Sequence, residues 1–151
     1  MMKLWRISNY ADLSGIGGTK TPGRWHNKGI PVVYLAESPA LAMLEVLVHF
    51  EIDAGEVPKG YQLLEVALED SDELSLTLSD EFLVDDWKDD LEFTRTIGDE
   101  WLTSSSSLLL KVPSIIVPNS YNYLFNPRHP EAKNAVIKLA TKHPYDPRLT
   151  K

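Results

Sequence analysis

The chain of 151 residues contains no cysteine, which excludes a disulfide framework and any thiolate-bound metal. It has no apolar run long enough to span a bilayer, because the longest, Leu41 to Phe50, is interrupted by Glu45 and His49. The opening MMKLWRISNY lacks the apolar stretch and small-residue cleavage site of a secretory signal. Basic clusters are missing as well. The net charge is −7, with the acidic excess between Glu65 and Glu100, so nothing here suits neutralisation of nucleic-acid phosphates. Histidines are few and scattered (His26, His49, His129, His143) without HExxH spacing, and no metal site is expected. These absences predict a cytoplasmic protein with no membrane span and no direct grip on nucleic acid. The acidic stretch Asp85 to Glu92 is a candidate surface for a basic protein partner.

What is present is an ordinary globular composition, 43% hydrophobic and 25% charged, of a length that suits one domain over residues 1–151. Lys3 to Ile7 alternates apolar and polar residues and reads as a strand. A glycine-rich stretch from Ser14 to Gly29 should be irregular. Pro31 to Ala36 (PVVYLA) is a second strand, and Ser38-Pro39 starts a helix that runs to about Phe50. Tyr61 to Glu69 is a strand with Leu64, Val66 and Leu68 on one face. Asp70 to Asp90 reads as exposed turns with a short helix, and Gly98 to Ser104 as a short helix. Leu108–Val112 and Ser114–Val117 are extended, Asn119–Pro130 is a polar loop, and Glu131–Lys142 is a C-terminal helix. Strands and helices mix without a regular βαβ beat, which predicts an α+β fold.

Few residues could carry chemistry. Glu45 lies in PALAMLEVLVHFEI, on a polar stripe with Ser38, Ala42 and His49 at helical spacing. That stripe either faces water, which helix statistics favour, or lines a cleft where a carboxylate meets developing positive charge. Arg24, in GRWHNKG, is either a solvated turn residue or a planar fork for phosphate oxygens. Arg6, in LWRI, is an edge charge or a second phosphate contact. Tyr34 is a core tyrosine or a ring that stacks on a flat ligand, and Ser114 a bland strand serine or a hydroxyl donor. Neither GxGxxG, nor a Walker A sequence, nor a GxSxG elbow is present.

Taken in order, LWRI, GRWHNKGIPVVYLAESPALAMLEVLVH, GDEWLTSSSSLLLKVPSIIVP and NYLFNPRHP closely resemble the RES-domain family, bacterial toxins paired with an Xre-type antitoxin. The resemblance runs from Trp5 to about Leu149. The arginine, glutamate and serine that name the family match Arg24, Glu45 and Ser114. The resemblance also points to Arg6 and Tyr34, and less directly to Ser38 and Asn126, as NAD-binding positions. It implies a split β-sheet cleft with flanking helices, like that of ADP-ribosyltransferases, and a homodimer whose pocket the antitoxin blocks. NAD is implied as the substrate, with no further cofactor.

The implied reaction cleaves the nicotinamide–ribose bond, with water or phosphate as acceptor. Loss of nicotinamide leaves an oxocarbenium-like ribose, which a fixed carboxylate stabilises. On this reading Glu45 faces the sugar, Arg24 with Arg6 holds the pyrophosphate, Tyr34 packs on nicotinamide or ribose, and Ser114 bonds the nicotinamide end. The alternatives are a mono-ADP-ribosyltransferase with a protein target and a non-catalytic module that binds a nucleotide or the antitoxin.

Overall fold

The computed structural model describes residues 1–49 and 60–150. Its centre is a mixed seven-stranded sheet, ordered β4-β5-β6-β2-β1-β3-β7. In chain order the strands are β1 (Met2–Ser8), β2 (Val33–Ala36), β3 (Gln62–Leu68), β4 (Ser75–Thr77), β5 (Leu109–Pro113), β6 (Tyr121–Phe125) and β7 (Val136–Lys142). The α-helices are α1 (Ile16–Lys20), α2 (Pro39–His49) and α3 (Leu91–Ser104), with short 3-10 turns between elements. This is the expected α+β class. No helix among the described residues is long and apolar enough to cross a membrane.

The sheet is nearly two sheets. β1 pairs with β3 through seven residue pairs, from Met2↔Leu68 to Ser8↔Gln62. Its junction with β2 is one pair, Trp5↔Ala36. A ladder that thin lets the β4-β5-β6-β2 half diverge from the β1-β3-β7 half, and the gap is the beginning of a cleft.

Strand alternation decides what covers each face. Leu4, Val33, Leu35, Val66, Leu68, Leu109 and Phe125 pack together on one face. On the other, Leu110, Val112 and Leu124 pack beneath α3 with Trp25, Trp101 and Leu102. Ile7 and Ala36 pack beneath α2 with Leu41 and Ala42. The two helices thus cover opposite halves of one face and leave the split open between them.

Several elements differ from the sequence expectation. Asn119–Pro130 is not a polar loop, since Tyr121–Phe125 forms a strand paired with both β2 and β5. The C-terminal helix does not form: Pro130–Asn134 is a 3-10 turn, and Val136–Lys142 is a strand that completes the free edge of β3. The β-branched Val136, Ile137 and Thr141 suit that strand better than a helix. Ser114–Val117 bends instead of extending. The stretch from Ser14 includes the short helix α1. The end placed near Phe50 lies outside the described residues.

Helix α3 starts at Leu91, capped by Asp90 Oδ1 on the Phe93 amide at 3.1 Å, and not at Gly98. Gly98 falls mid-helix, where the main chain of Trp25 crosses so closely that an added Cβ would collide with the Trp25 carbonyl. A Gly98→Ala variant should therefore lose roughly 2–3 kcal/mol through forced separation of α3 from the loop. Urea unfolding checks this as a lower midpoint at unchanged slope.

Candidate active site

The gap between the sheet halves deepens into a cleft of about 630 Å³. That is within the range of small-molecule sites. Arg6, Arg24, Tyr34 and Glu45 all line it. Four positions scattered over forty residues of sequence thus share one wall system, in a chain whose net charge is negative but whose cleft carries two arginines.

Glu45 projects from α2. Its Oε1 accepts two hydrogen bonds, from Ser114 Oγ at 2.6 Å and from Asn122 Nδ2 at 2.8 Å. The middle of the polar stripe of α2, Ala42 and Glu45, therefore lines the cleft. The side chain of His49 lies outside the described part of that stripe. Ser114 is held just as tightly. Its hydroxyl gives its proton to Glu45 and accepts from the amides of Ile116 and Val117, each at 3.1 Å, which is what bends the chain after β5. Ser114 is buried, and its hydroxyl proton is committed to Glu45 and not pointed at a ligand.

Asn122 escaped the sequence reading. Within NYLFNPRHP it looked like loop, and only the β6 register, opposite Ala36 of β2 and Val112 of β5, brings it to Glu45. The available signal was the alternation of Tyr121, Tyr123 and Phe125, a strand pattern that puts Asn122 and Leu124 on the other face.

Arg24 is held by the chain around it. Its Nη1 donates to the Lys88 carbonyl at 2.7 Å. The loop itself is clamped by α3: Thr94 Oγ1 donates to the Arg24 carbonyl at 2.6 Å, and Arg95 Nε to the Gly23 carbonyl at 2.8 Å. Asp99 accepts from the Asn27 amide and side chain at 3.0 and 2.7 Å. The Trp25 and Trp87 rings pack at a 35° tilt, with centroids 5.7 Å apart. Arg6 Nη1 donates to the Asp12 carbonyl at 2.6 Å. Burial draws Arg6 below the ordinary arginine value, and the charge of Asp12 opposes that shift. It stays cationic throughout the working pH range.

Tyr34 lines the cleft with its ring while its hydroxyl is used inside the fold. The hydroxyl accepts from the Trp25 amide at 3.1 Å and lies 2.6 Å from His26 Nδ1. His26 Nε2 sits 3.1 Å from the carbonyls of Gly18 and Thr21, which can only accept. Nε2 therefore carries the proton, and Tyr34 donates to Nδ1 of a neutral ring. Burial pushes the Tyr34 phenol far up, which keeps it protonated for this role. Gly23 is required beside it, because a Cβ there would collide with the Tyr34 hydroxyl.

Ser38 and Asn126 are not brought to the cleft. Ser38 Oγ accepts from the Leu41 amide at 3.1 Å and caps α2. Asn126 is buried, donating to the Leu102 carbonyl and Ser105 Oγ at 3.3 and 3.2 Å.

Burial lowers the His26 pKa, and the carbonyls of Gly18 and Thr21 only partly oppose it. A ring kept neutral in the folded state contributes stability that is complete above its ordinary value of 6.5 and is lost as pH falls through the lower folded value. Melting temperature should therefore drop as pH falls from 7 toward 5, and in His26→Gln that dependence should shrink while the melting point at pH 7 also falls. A thermal-melt series in matched buffers measures both.

The RES domain family model matches residues 3–148. The chain is 51% identical over 138 residues to "Toxin Res" of Pseudomonas putida (strain KT2440), covering 91% of this chain and 93% of that protein. It is 38% identical over 156 residues to a "Prs ADP-ribosylating toxin" of Sphingobium sp. (strain YBL2), covering 96% and 94%. In fold it is similar to a chain of the crystal structure of the M. tuberculosis MbcT-MbcA toxin-antitoxin complex, with a TM-score of 0.70 and 19% identity over 99% of this chain and 86% of that one. With the family pattern matched almost end to end, and with its arginine and glutamate lining one cleft and its serine bonded to that glutamate, the chain belongs to the RES-domain family.

Proposed function

We propose that this chain is the toxin of a toxin–antitoxin pair and that it depletes NAD by breaking the nicotinamide–ribose bond. The observation that carries the reading is one carboxylate, Glu45, held in a cleft with two arginines. That donor set matches a ligand with anionic phosphates at one end and a sugar that becomes cationic at the other.

The bond between ribose C1′ and the pyridinium nitrogen breaks with its electron pair going to the ring. Nicotinamide therefore leaves neutral, and no general acid is needed. The positive charge moves to C1′ and the ring oxygen of the ribose, where the Glu45 carboxylate offsets it. An acceptor oxygen from water or phosphate then bonds to C1′ and releases its proton to solvent. Arg24 and Arg6 hold the pyrophosphate, and the Tyr34 ring packs against the nicotinamide riboside. Ser114 serves by holding Glu45 in place of touching nicotinamide, since its hydroxyl proton is already donated.

The name of the Sphingobium relative favours a second acceptor, a protein side chain in place of water or phosphate, for the same bond cleavage. Its 38% identity makes that the reading to test beside the first. The complex in which the M. tuberculosis fold neighbour is found supports a partner antitoxin for this chain. We assign it the Xre type and the toxin a homodimeric state, both testable by co-purification and light scattering.

Purified protein freed of antitoxin should release nicotinamide from NAD, and Glu45→Gln should keep its fold and lose at least a hundredfold in rate. Wild-type turnover in that variant overturns the role of Glu45. Phosphate dependence of the product, or a labelled protein when target candidates are added, identifies the acceptor. Arg24→Ala should raise KM for NAD tenfold or more, and an unchanged KM transfers the pyrophosphate role to Arg6.

A further inference from the structure

A carboxylate that must face a developing cation needs a fixed direction, and Glu45 has four lone-pair sites on two oxygens. Both donors that reach it converge on Oε1, Ser114 Oγ at 2.6 Å and Asn122 Nδ2 at 2.8 Å. Oε2 receives no hydrogen bond among the described residues. The Asn122 amide orientation is not arbitrary: a carboxylate only accepts, so the nitrogen must face it. Its backbone is equally constrained, paired to Ala36 on one side and Val112 on the other, at the sheet end where the split opens. Ser114 sits one strand away, with its amide donating to the Ser120 carbonyl at 2.8 Å.

From this we infer that Asn122 is a positioning residue for the NAD-cleaving reaction: with Ser114 it saturates Glu45 Oε1, so that Oε2 alone addresses the substrate. The inference rests on the proposed NAD reaction and assigns a residue outside the arginine–glutamate–serine set. It also sets how Glu45 works. With Oε1 occupied by two donors, only Oε2 is left to accept from a ligand. Glu45 is then a fixed negative charge and hydrogen-bond acceptor for the ribose, and the proton released by the acceptor leaves by another route. The other titratable groups lining this cleft are Arg6, Arg24, His26 and Tyr34. Burial keeps the His26 ring neutral and pushes the Tyr34 phenol well above neutrality.

The test uses the full chain with Asn122→Ala and Asn122→Asp. Asn122→Ala should lower kcat tenfold or more with KM for NAD changed less than threefold, because the carboxylate loses its direction while the pyrophosphate contacts remain. Asn122→Asp is nearly isosteric and keeps the fold if the alanine variant does not. Two facing carboxylates cannot both ionise easily, so it should move the acidic limb of kcat upward by one pH unit or more. Crystal structures of both variants give a readout independent of turnover, with the Glu45 carboxylate turned away from its wild-type direction. A Glu45 carboxylate that keeps its wild-type direction in both variants overturns the inference, whatever the activity. A carboxylate that turns in the variants, while the wild-type protein releases no nicotinamide, supports the anchoring and rejects the NAD reaction. Turnover within twofold of wild type in Asn122→Ala overturns the positioning role and leaves the NAD reaction standing.

Discussion

A carboxylate half-buried on an otherwise apolar helix is unfavourable unless donors meet it, with a desolvation cost of several kcal/mol for an unpaired ion. In this protein the donors come from the far side of the sheet split: Ser114 just after β5 and Asn122 at the start of β6. That requirement ties α2, which packs on the β1-β3 half, to the end of the β5-β6 half across the gap left by the single Trp5↔Ala36 pair. The same contact that makes Glu45 tolerable within the fold also aims it. Structural satisfaction and chemical positioning are one set of hydrogen bonds.

The opposite wall follows a different logic. Arg24 sits in a glycine-rich loop that would wander if left to itself, and α3 removes the freedom. Thr94, Arg95 and Asp99 bond three points of the loop, and Gly98 lets the Trp25 backbone lie against the helix. Beneath it the neutral His26 and the Tyr34 hydroxyl lock the loop to β2 through a chain with one consistent set of donors. The cost of a flexible loop is thereby settled before any ligand arrives, which is how an acidic protein can present two cations at fixed positions.

Much of this could be read from the chain. β1, β2, α2 and β3 announced themselves by alternation, by the Ser38-Pro39 start and by apolar periodicity; the three strands stand where expected within about two residues, and α2 starts where expected. The pairing of an acidic overall charge with Arg6 and Arg24 in short, specific contexts was also visible, as was the ordered family pattern. β6 was not, because Asn119-Ser120 and Asn126-Pro127 frame it in turn-forming residues and its partners are distant in sequence. β7 misled because Ala132, Ala135, Val136, Leu139 and Ala140 fall at helical spacing. Only the open edge of β3, unknowable from local pattern, selects the extended form. Gly98 read as a boundary since glycine disfavours helix interiors, and its real reason is the backbone of Trp25, seventy-three positions away in the chain.

The amino-acid sequence by itself determined which residues could do chemistry, the α+β class and the membership of the family, since these rest on residue type, local period and ordered motifs. Tertiary structure alone decided which of those residues meet. It brought Glu45 and Ser114 to 2.6 Å, recruited Asn122, and assigned Ser38 and Asn126 to capping and packing away from the cleft. The physical reason is that strand register and helix packing are non-local. A hydrogen bond between residues sixty-nine positions apart leaves no local trace in either segment.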